Sequence, residues 1–339
     1  MQTFATQKKE LLPNAAARRI FGLVQREMAL VEAEFERQVR SNIQVVNYLG
    51  DYLRASGGKR VRPALLVLSN YAAGGMGNDE NVIRLATVME MLHTATLVHD
   101  DIIDNADVRR NRASVNARFG NQTAVLMGDW LYMSAFETSL RERSLEILDI
   151  LTTLTRKMTE GELIQLTMIG RIDITEADYF DILKRKTAFL FAACAEIGAI
   201  LAGAPLEKQH ALRDFGMNLG IAFQLADDIL DLTSESDDLG KAAGTDLLEG
   251  KITLPLIYLL GAEPGLRPKL EQVMLTGTYD PIGRDTIREM LRRHGTIDII
   301  RAKANSFSEA ARKNLDVLAK TEYRVALEEI PGFVIDRNS

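Results

Sequence analysis

"RLATVMEMLHTATLVHDDIID", residues 84–104, contains neither glycine nor proline, and its apolar residues recur at intervals of three and four instead of alternating. That period belongs to an α-helix. Apolar positions fall on more than one side, which marks a helix surrounded by protein. "LRDFGMNLGIAFQLADDILDL", residues 212–232, reads the same way. No proline occurs between Pro63 and Pro205, so nothing of that kind breaks helix across the middle of the chain. "DITEADYFDIL" (173–183) adds a start signal, with Thr175 as N-cap and Asp178 three positions on, a variant of the capping box. The fold class predicted is all-α. Loops are expected at 72–81, 104–114, 234–251 and 275–285. None has the length or composition of an interdomain linker, so residues 1–339 are read as one domain.

The apolar share, 46% of 339 residues, suffices for a substantial core. Forty-one basic against forty-seven acidic side chains leave a net charge of −6, a field that repels nucleic acid and anionic membrane. Any polyanion must therefore be gripped locally, and no nucleic-acid partner is expected. The one cysteine, Cys194, excludes an internal disulfide and reads as a small core residue in a reducing compartment. "MQTFATQKKELLPNAAARRIF" at the N-terminus has no apolar run of secretory kind, and a cytoplasmic protein is expected. "TAFLFAACAEIGAILAGAPL" (187–206) approaches the length of a membrane span but carries Glu196 centrally among Ala and Gly. It is read as a tightly packed interior or subunit-interface helix, and no transmembrane segment is expected.

Both long helices end in the same acidic cluster: "HDDIID" at 99–104 and "ADDILD" at 226–231. On a helix Asp100 and Asp104 are four apart and Asp101 and Asp104 three apart, so their carboxylates converge on one face. Asp227, Asp228 and Asp231 repeat the arrangement. Like charges so placed repel. Acidic clusters are usually solvated faces, but duplication beside two apolar helices points to a cation that offsets the repulsion. Magnesium takes one or two carboxylates and completes its shell with water and phosphate oxygens. Two such faces opposed across a cavity would clamp a polyphosphate.

Cations accompany the clusters. "GGKRVRP" (57–63) offers Lys59, Arg60 and Arg62 after a glycine pair; Arg109 and Arg110 follow the first cluster, Lys186 opens the Ala-rich helix, and Lys241 and Lys251 follow the second cluster. Each alone would be an ordinary surface charge; together they read as sockets for phosphate oxygens. "GTDLLEGKI" (244–252) is no P-loop, because five residues separate its glycines and Ile252 stands where Ser or Thr should meet magnesium. Four scattered histidines and one cysteine give no zinc spacing. His93 lies two helical turns before Asp100 on much the same face.

These motifs, with "GDWLYMSAF" (128–136), "KT" (186–187) and "GKAAGTDLLEGKITLPL" (240–256) in the same order and spacing, make the chain resemble the trans-isoprenyl diphosphate synthases, most closely the bacterial long-chain polyprenyl (octaprenyl or solanesyl type) members. The resemblance runs from about residue 20 to the C-terminus. It implies a bundle of mostly antiparallel helices around a deep apolar cavity, a homodimer, and magnesium (Mg2+) as cofactor. It implies substrates as well: isopentenyl diphosphate and an allylic diphosphate, condensed head to tail in successive steps to a long-chain all-trans polyprenyl diphosphate. By position Asp100, Asp101, Asp104, Asp227, Asp228 and Asp231 correspond to the acids serving the metal ions, some directly and some through water. Arg109, Lys186, Lys241 and Lys251 correspond to groups on the allylic diphosphate, and Thr187 and Gln224 to the reacting end. Lys59, Arg62, His93 and Arg110 correspond to the isopentenyl diphosphate pocket. Metal and cations would stabilise charge on the departing pyrophosphate while apolar walls keep water from the allylic cation. The chain departs from the usual "RRGxP" at Asn111 and Ala113, which alters the loop after Arg110 but removes no charge.

Product length is addressed by the residues before the first cluster. Thr96 and Ala95, four and five positions before Asp100, are small where short-chain members often carry an aromatic floor, and Leu92 follows one turn deeper. A tunnel down this face predicts a long, octaprenyl-like product. Geranylgeranyl or farnesyl diphosphate synthesis is the alternative, with a class I terpene cyclase or a non-catalytic regulatory subunit as competing functions. The complete second cluster and the extra basic socket at Lys59 and Arg62 speak against the cyclase, and the retention of all six acids speaks against the subunit.

Overall fold

A computed structural model describes residues 15–55, 57–110, 112–233 and 244–335. Lys241 and Asn111 lie outside the described residues.

Among the described residues the chain forms seventeen α-helices and one two-stranded ribbon. An N-terminal group comprises α1 (Ala15–Leu23), α2 (Gln25–Gln38), α3 (Gln44–Ala55) and α4 (Val61–Ala73). The first long helix, α5, spans Glu80–Ile103 and is followed by β1 (Val108–Arg109) and β2 (Arg112–Ala113). Next come α6 (Val115–Phe119), α7 (Asn121–Ser139), α8 (Leu145–Met168), α9 (Glu176–Leu183), a π-helical turn at Lys184–Ala188, and α10 (Phe189–Leu201). The second long helix, α11, spans Leu206–Thr233. The C-terminal part holds α12 (Thr245–Leu248), α13 (Leu254–Ala262), α14 (Arg267–Thr276), α15 (Arg284–Arg293), α16 (Thr296–Asn314) and α17 (Glu322–Ile335).

The helical reading of the sequence holds, and so does its start signal: Thr175 Oγ1 accepts from the Asp178 amide while the Asp178 carboxylate accepts from the Thr175 amide. The ribbon was not foreseen. It pairs Val108 with Ala113 and Arg109 with Arg112, and left-handed backbone at Asn105 and Arg110 turns the chain on either side of β1.

Two apolar clusters share α11. Leu212, Phe215 and Leu219 belong to one cluster with residues of α4, α5, α7 and α10, whereas Ile221, Leu225 and Ile229 belong to another with residues of α13, α15 and α16. Each large apolar side chain so buried contributes about 1.5–3 kcal/mol. The Ala- and Gly-rich stretch is the interior helix α10, with Leu190 through Ala195 buried. Its small residues allow backbone contact: a Cβ on Gly198 would lie 2.5 Å from Leu66 O, and one on Gly216 of α11 2.4 Å from Phe191 O. Among the described residues no helix is long and apolar enough to cross a membrane.

Candidate active site

α5 changes character along its length. From Val82 to Leu92 nearly every side chain is buried, and beyond it His93, Thr96, Leu97 and Asp100 open onto a cavity of about 290 Å³. Spacings of three and four keep these residues on one side of the helix. The opposite walls come from α8, the π-turn, α11 and the segment 246–253. Asp100 of the first acidic cluster and Asp228 of the second both line this space, so the two long helices bring their clusters to one cavity.

The six aspartates are not equivalent there. Asp101 is buried and accepts from Arg109 Nε at 2.7 Å and pairs with Arg109 Nη2 at 2.5 Å. Asp228 is buried and accepts from Tyr179 Oη at 2.5 Å and Gln224 Nε2 at 2.9 Å. Asp231, also buried, accepts from the amide and hydroxyl of Thr245 at 3.3 Å each. These three are anchored by the protein. Asp104 at the end of α5 receives Lys251 Nζ at 2.9 Å, which ties the segment after α12 to the first cluster. Asp227 is half-buried. Burial pushes the Asp100 carboxyl up to about 7, with Glu162 and Asp104 adding repulsion against the pull of Lys186 and Arg109. Burial, with Asp246 nearby, raises Asp228 well above the carboxylate range, and the donors Tyr179 and Gln224 oppose the rise.

A buried carboxyl raised in this way is one that a divalent cation would stabilise in its charged form. Among the described residues no three His, Cys, Asp or Glu side chains are grouped closely enough to hold a metal alone. Oxygens spaced in this manner fit a hard cation that shares its shell with water and phosphate.

On the basic side Arg62 Nη1 donates to His93 Nε2 at 3.0 Å, and its guanidinium lies 5.1 Å from the Phe191 ring centre. Burial, with Arg62 and Arg110 nearby, holds the imidazole well below its ordinary value. His93 is therefore neutral and can accept at Nε2. The preceding Arg60 is in the left-handed region (φ 49°) and pairs with Glu32 at 2.5 Å and the buried Glu90 at 2.6 Å, which fixes the turn between the exposed Lys59 and Arg62. Arg110, also left-handed, donates to Gly57 O. A Cβ on Gly58 would lie 2.5 Å from Arg110 Nη1, so the glycine lets the two loops dock.

The reacting end is framed by the π-turn, whose extra residue re-aims side chains as such bulges do at functional sites. Thr187 Oγ1 donates to Gln224 Oε1 at 2.9 Å. Lys186 Nζ meets Glu162 at 2.5 Å and Gln165 at 2.7 Å, and Arg185 meets Glu160 at 2.5 Å. Gly161 between those acids permits the approach, since a Cβ there would lie 2.6 Å from Arg185 Cβ. Glu160, Glu162, Gln165, Tyr179, Glu90 and Asp246 were missed in the sequence; only the acid, glycine and amide spacing of "EGELIQ" gave any signal.

Of the three residues expected to border a product tunnel, Thr96 lines two cavities. It borders the main space and a second one of about 160 Å³, which it shares with Asp100, Lys186, His99, Tyr132 and Met158. Ala95 and Leu92 are fully buried in the first apolar cluster and line neither space. Ala95 is turned about 100° from Thr96 around the helix, and Leu92 lies one turn deeper, where packing is complete.

A family profile described as polyprenyl synthetase matches residues 43–288. The octaprenyl diphosphate synthase of Escherichia coli (strain K12) is 38% identical over 319 residues, 93% of this chain and 97% of that protein. The crystal structure of a polyprenyl synthase from Caulobacter crescentus CB15, complexed with calcium and isoprenyl diphosphate, superposes with a TM-score of 0.89 at 35% identity, covering 95% of this chain and 98% of that one. A decaprenyl diphosphate synthase from Rhodobacter capsulatus gives 0.88 at 32%, covering 95% and 99%.

Proposed function

The chain belongs to the polyprenyl synthetase family, and from that premise we propose that it is a magnesium-dependent trans-polyprenyl diphosphate synthase. It joins isopentenyl diphosphate to an allylic diphosphate and repeats the step to a long-chain product. The observation that carries this reading is the pairing of Asp100 and Asp228 on opposite walls of one cavity whose cationic side chains are Arg62, Lys186 and Lys251.

In this reading all six aspartates would serve the metal ions, some directly and some through water, with Asp101, Asp228 and Asp231 held in place by the donors described above. Bound magnesium would offset charge on the leaving pyrophosphate. Lys186, Lys251 and Arg109 bind the allylic diphosphate, and Lys59, Arg62, His93 and Arg110 the isopentenyl diphosphate. The allylic C–O bond breaks, the double bond of isopentenyl diphosphate attacks the cation, and loss of a proton restores an allylic diphosphate one unit longer. Thr187 and Gln224 fix the polar end of the reacting chain, while Leu97, Ile174 and Leu190 keep water away. Residues 1–339 act as one domain, a reading supported by the two apolar clusters that meet on α11. A homodimer is supported by Leu126, Met133 and Leu140, which repeat every seven residues along α7 and the turn after it and are 68%, 63% and 49% exposed.

The test is incubation of the purified protein alone with magnesium, isopentenyl diphosphate and farnesyl diphosphate. An elongated prenyl diphosphate is expected. A hydrocarbon product would indicate a cyclase, and no turnover a partner-dependent subunit.

A further inference from the structure

The cations around the main cavity are partnered in two ways. Arg62 faces a neutral imidazole and an aromatic ring. The lysines are instead held by acids, Lys251 by Asp104 and Glu249 and Lys186 by Glu162. Glu162 stands apart from the aspartates because it is on α8, outside both of their clusters. Its side chain is 14% exposed and lines the second cavity only, whereas Lys186 lines both cavities and Gln165 only the main one. The ammonium therefore sits on the boundary, between the Glu162 carboxylate on the second cavity and the Gln165 amide on the main one.

We propose that Glu162 is a positioning residue that competes for Lys186 with the diphosphate at the allylic site, weakening the hold there so that pyrophosphate can leave after each condensation and the product's diphosphate, which came from isopentenyl diphosphate, can take its place. The inference rests on the reading of Lys186 as a diphosphate ligand. Moving Lys186 from Glu162 to a diphosphate breaks one charge-assisted bond to make another, so little is gained. With a neutral amide at 162 the lysine would gain the whole of the new bond.

The test is calorimetric titration with farnesyl diphosphate, at saturating magnesium and without isopentenyl diphosphate. Glu162→Gln should bind about tenfold more tightly than wild type, the equivalent of one such bond regained. Glu162→Asp, which keeps the charge, should bind as wild type does. In a Lys186→Ala background Glu162→Gln should change nothing. In steady state the Michaelis constant for the allylic substrate should fall and that for isopentenyl diphosphate should stay. A merely structural residue would weaken binding when altered, so equal or weaker binding by a Glu162→Gln protein with wild-type thermal unfolding overturns the proposal. The same gain in the Lys186→Ala background also overturns it. Should Glu162→Gln not fold, Glu162→Ala must show the same tightening. If wild type itself fails to bind farnesyl diphosphate, the functional reading has failed and not this one.

Discussion

Replacing Gly161 by alanine sets two effects of opposite sign against each other. Gly161 lies inside α8, where alanine is preferred to glycine by about 0.8–1.0 kcal/mol. The added Cβ, however, would stand 2.6 Å from Arg185 Cβ and 3.1 Å from Lys186 Cγ, against an ordinary carbon contact of about 3.5–4.0 Å. The clashing Arg185 atom is next to the backbone, so the π-turn itself must retreat by about 1 Å. Overpacking of this kind costs about 1–3 kcal/mol, which leaves a net destabilisation of up to about 2 kcal/mol in urea unfolding. The kinetic effect should be larger in proportion, because a displacement of about 1 Å in a positioned group can cost about a hundredfold in rate. Lys186 and Thr187 ride on the displaced turn. Incorporation of radiolabelled isopentenyl diphosphate measures the rate, with Gly22→Ala as control, since a Cβ there meets nothing within 4 Å. Retention of wild-type rate together with a gain in stability would refute the idea that Gly161 sets the position of the π-turn.

Tyr179→Phe deletes the buried hydroxyl that donates to Asp228 and should cost about 1.5–3 kcal/mol of stability; a change too small to resolve by denaturant unfolding would show that Gln224 suffices to anchor the acid. Arg62→Ala should raise the Michaelis constant for isopentenyl diphosphate about tenfold or more, and an equal rise for the allylic substrate would mean that the basic side has been assigned wrongly. Thr96→Phe fills space that borders both cavities and should shorten the product in a stable protein, whereas Ala95→Phe enters a packed core and should destabilise by about 1–3 kcal/mol. Chromatography of the products and thermal unfolding of both variants decide between them, and an unchanged chain length from Thr96→Phe would show that the chain leaves by another route.

The fold was legible because its signals are local. Apolar spacing of three and four, the absence of proline between Pro63 and Pro205, and the Thr175–Asp178 box each act within a turn or two of helix, and the structure keeps all of them. The β1–β2 ribbon was not legible, since it depends on left-handed backbone at Asn105 and Arg110, and neither residue announces that conformation as glycine would. Ala95 illustrates a different limit. Helical geometry places it beside Thr96, but which of two neighbouring faces meets a cavity is decided by the helices packed around α5.

The site was legible in its charges and not in their partners. A run such as "HDDIID" shows that three acids share a helix face, but nothing in it separates Asp101, engaged by Arg109, from Asp100, which lines the cavity. That division comes from residues far along the chain: Tyr179 reaches Asp228, Lys251 reaches Asp104, and Glu162 reaches Lys186. Such pairings carry consequences that a list of motifs lacks. A lysine already held by a carboxylate is a weaker socket than its charge suggests, and a buried guanidinium opposite a neutral histidine is a stronger one. The two sides of the cavity therefore differ in how readily they release a diphosphate. An enzyme that must release pyrophosphate from the allylic side at every cycle, while holding a fresh isopentenyl diphosphate on the other, has use for that difference.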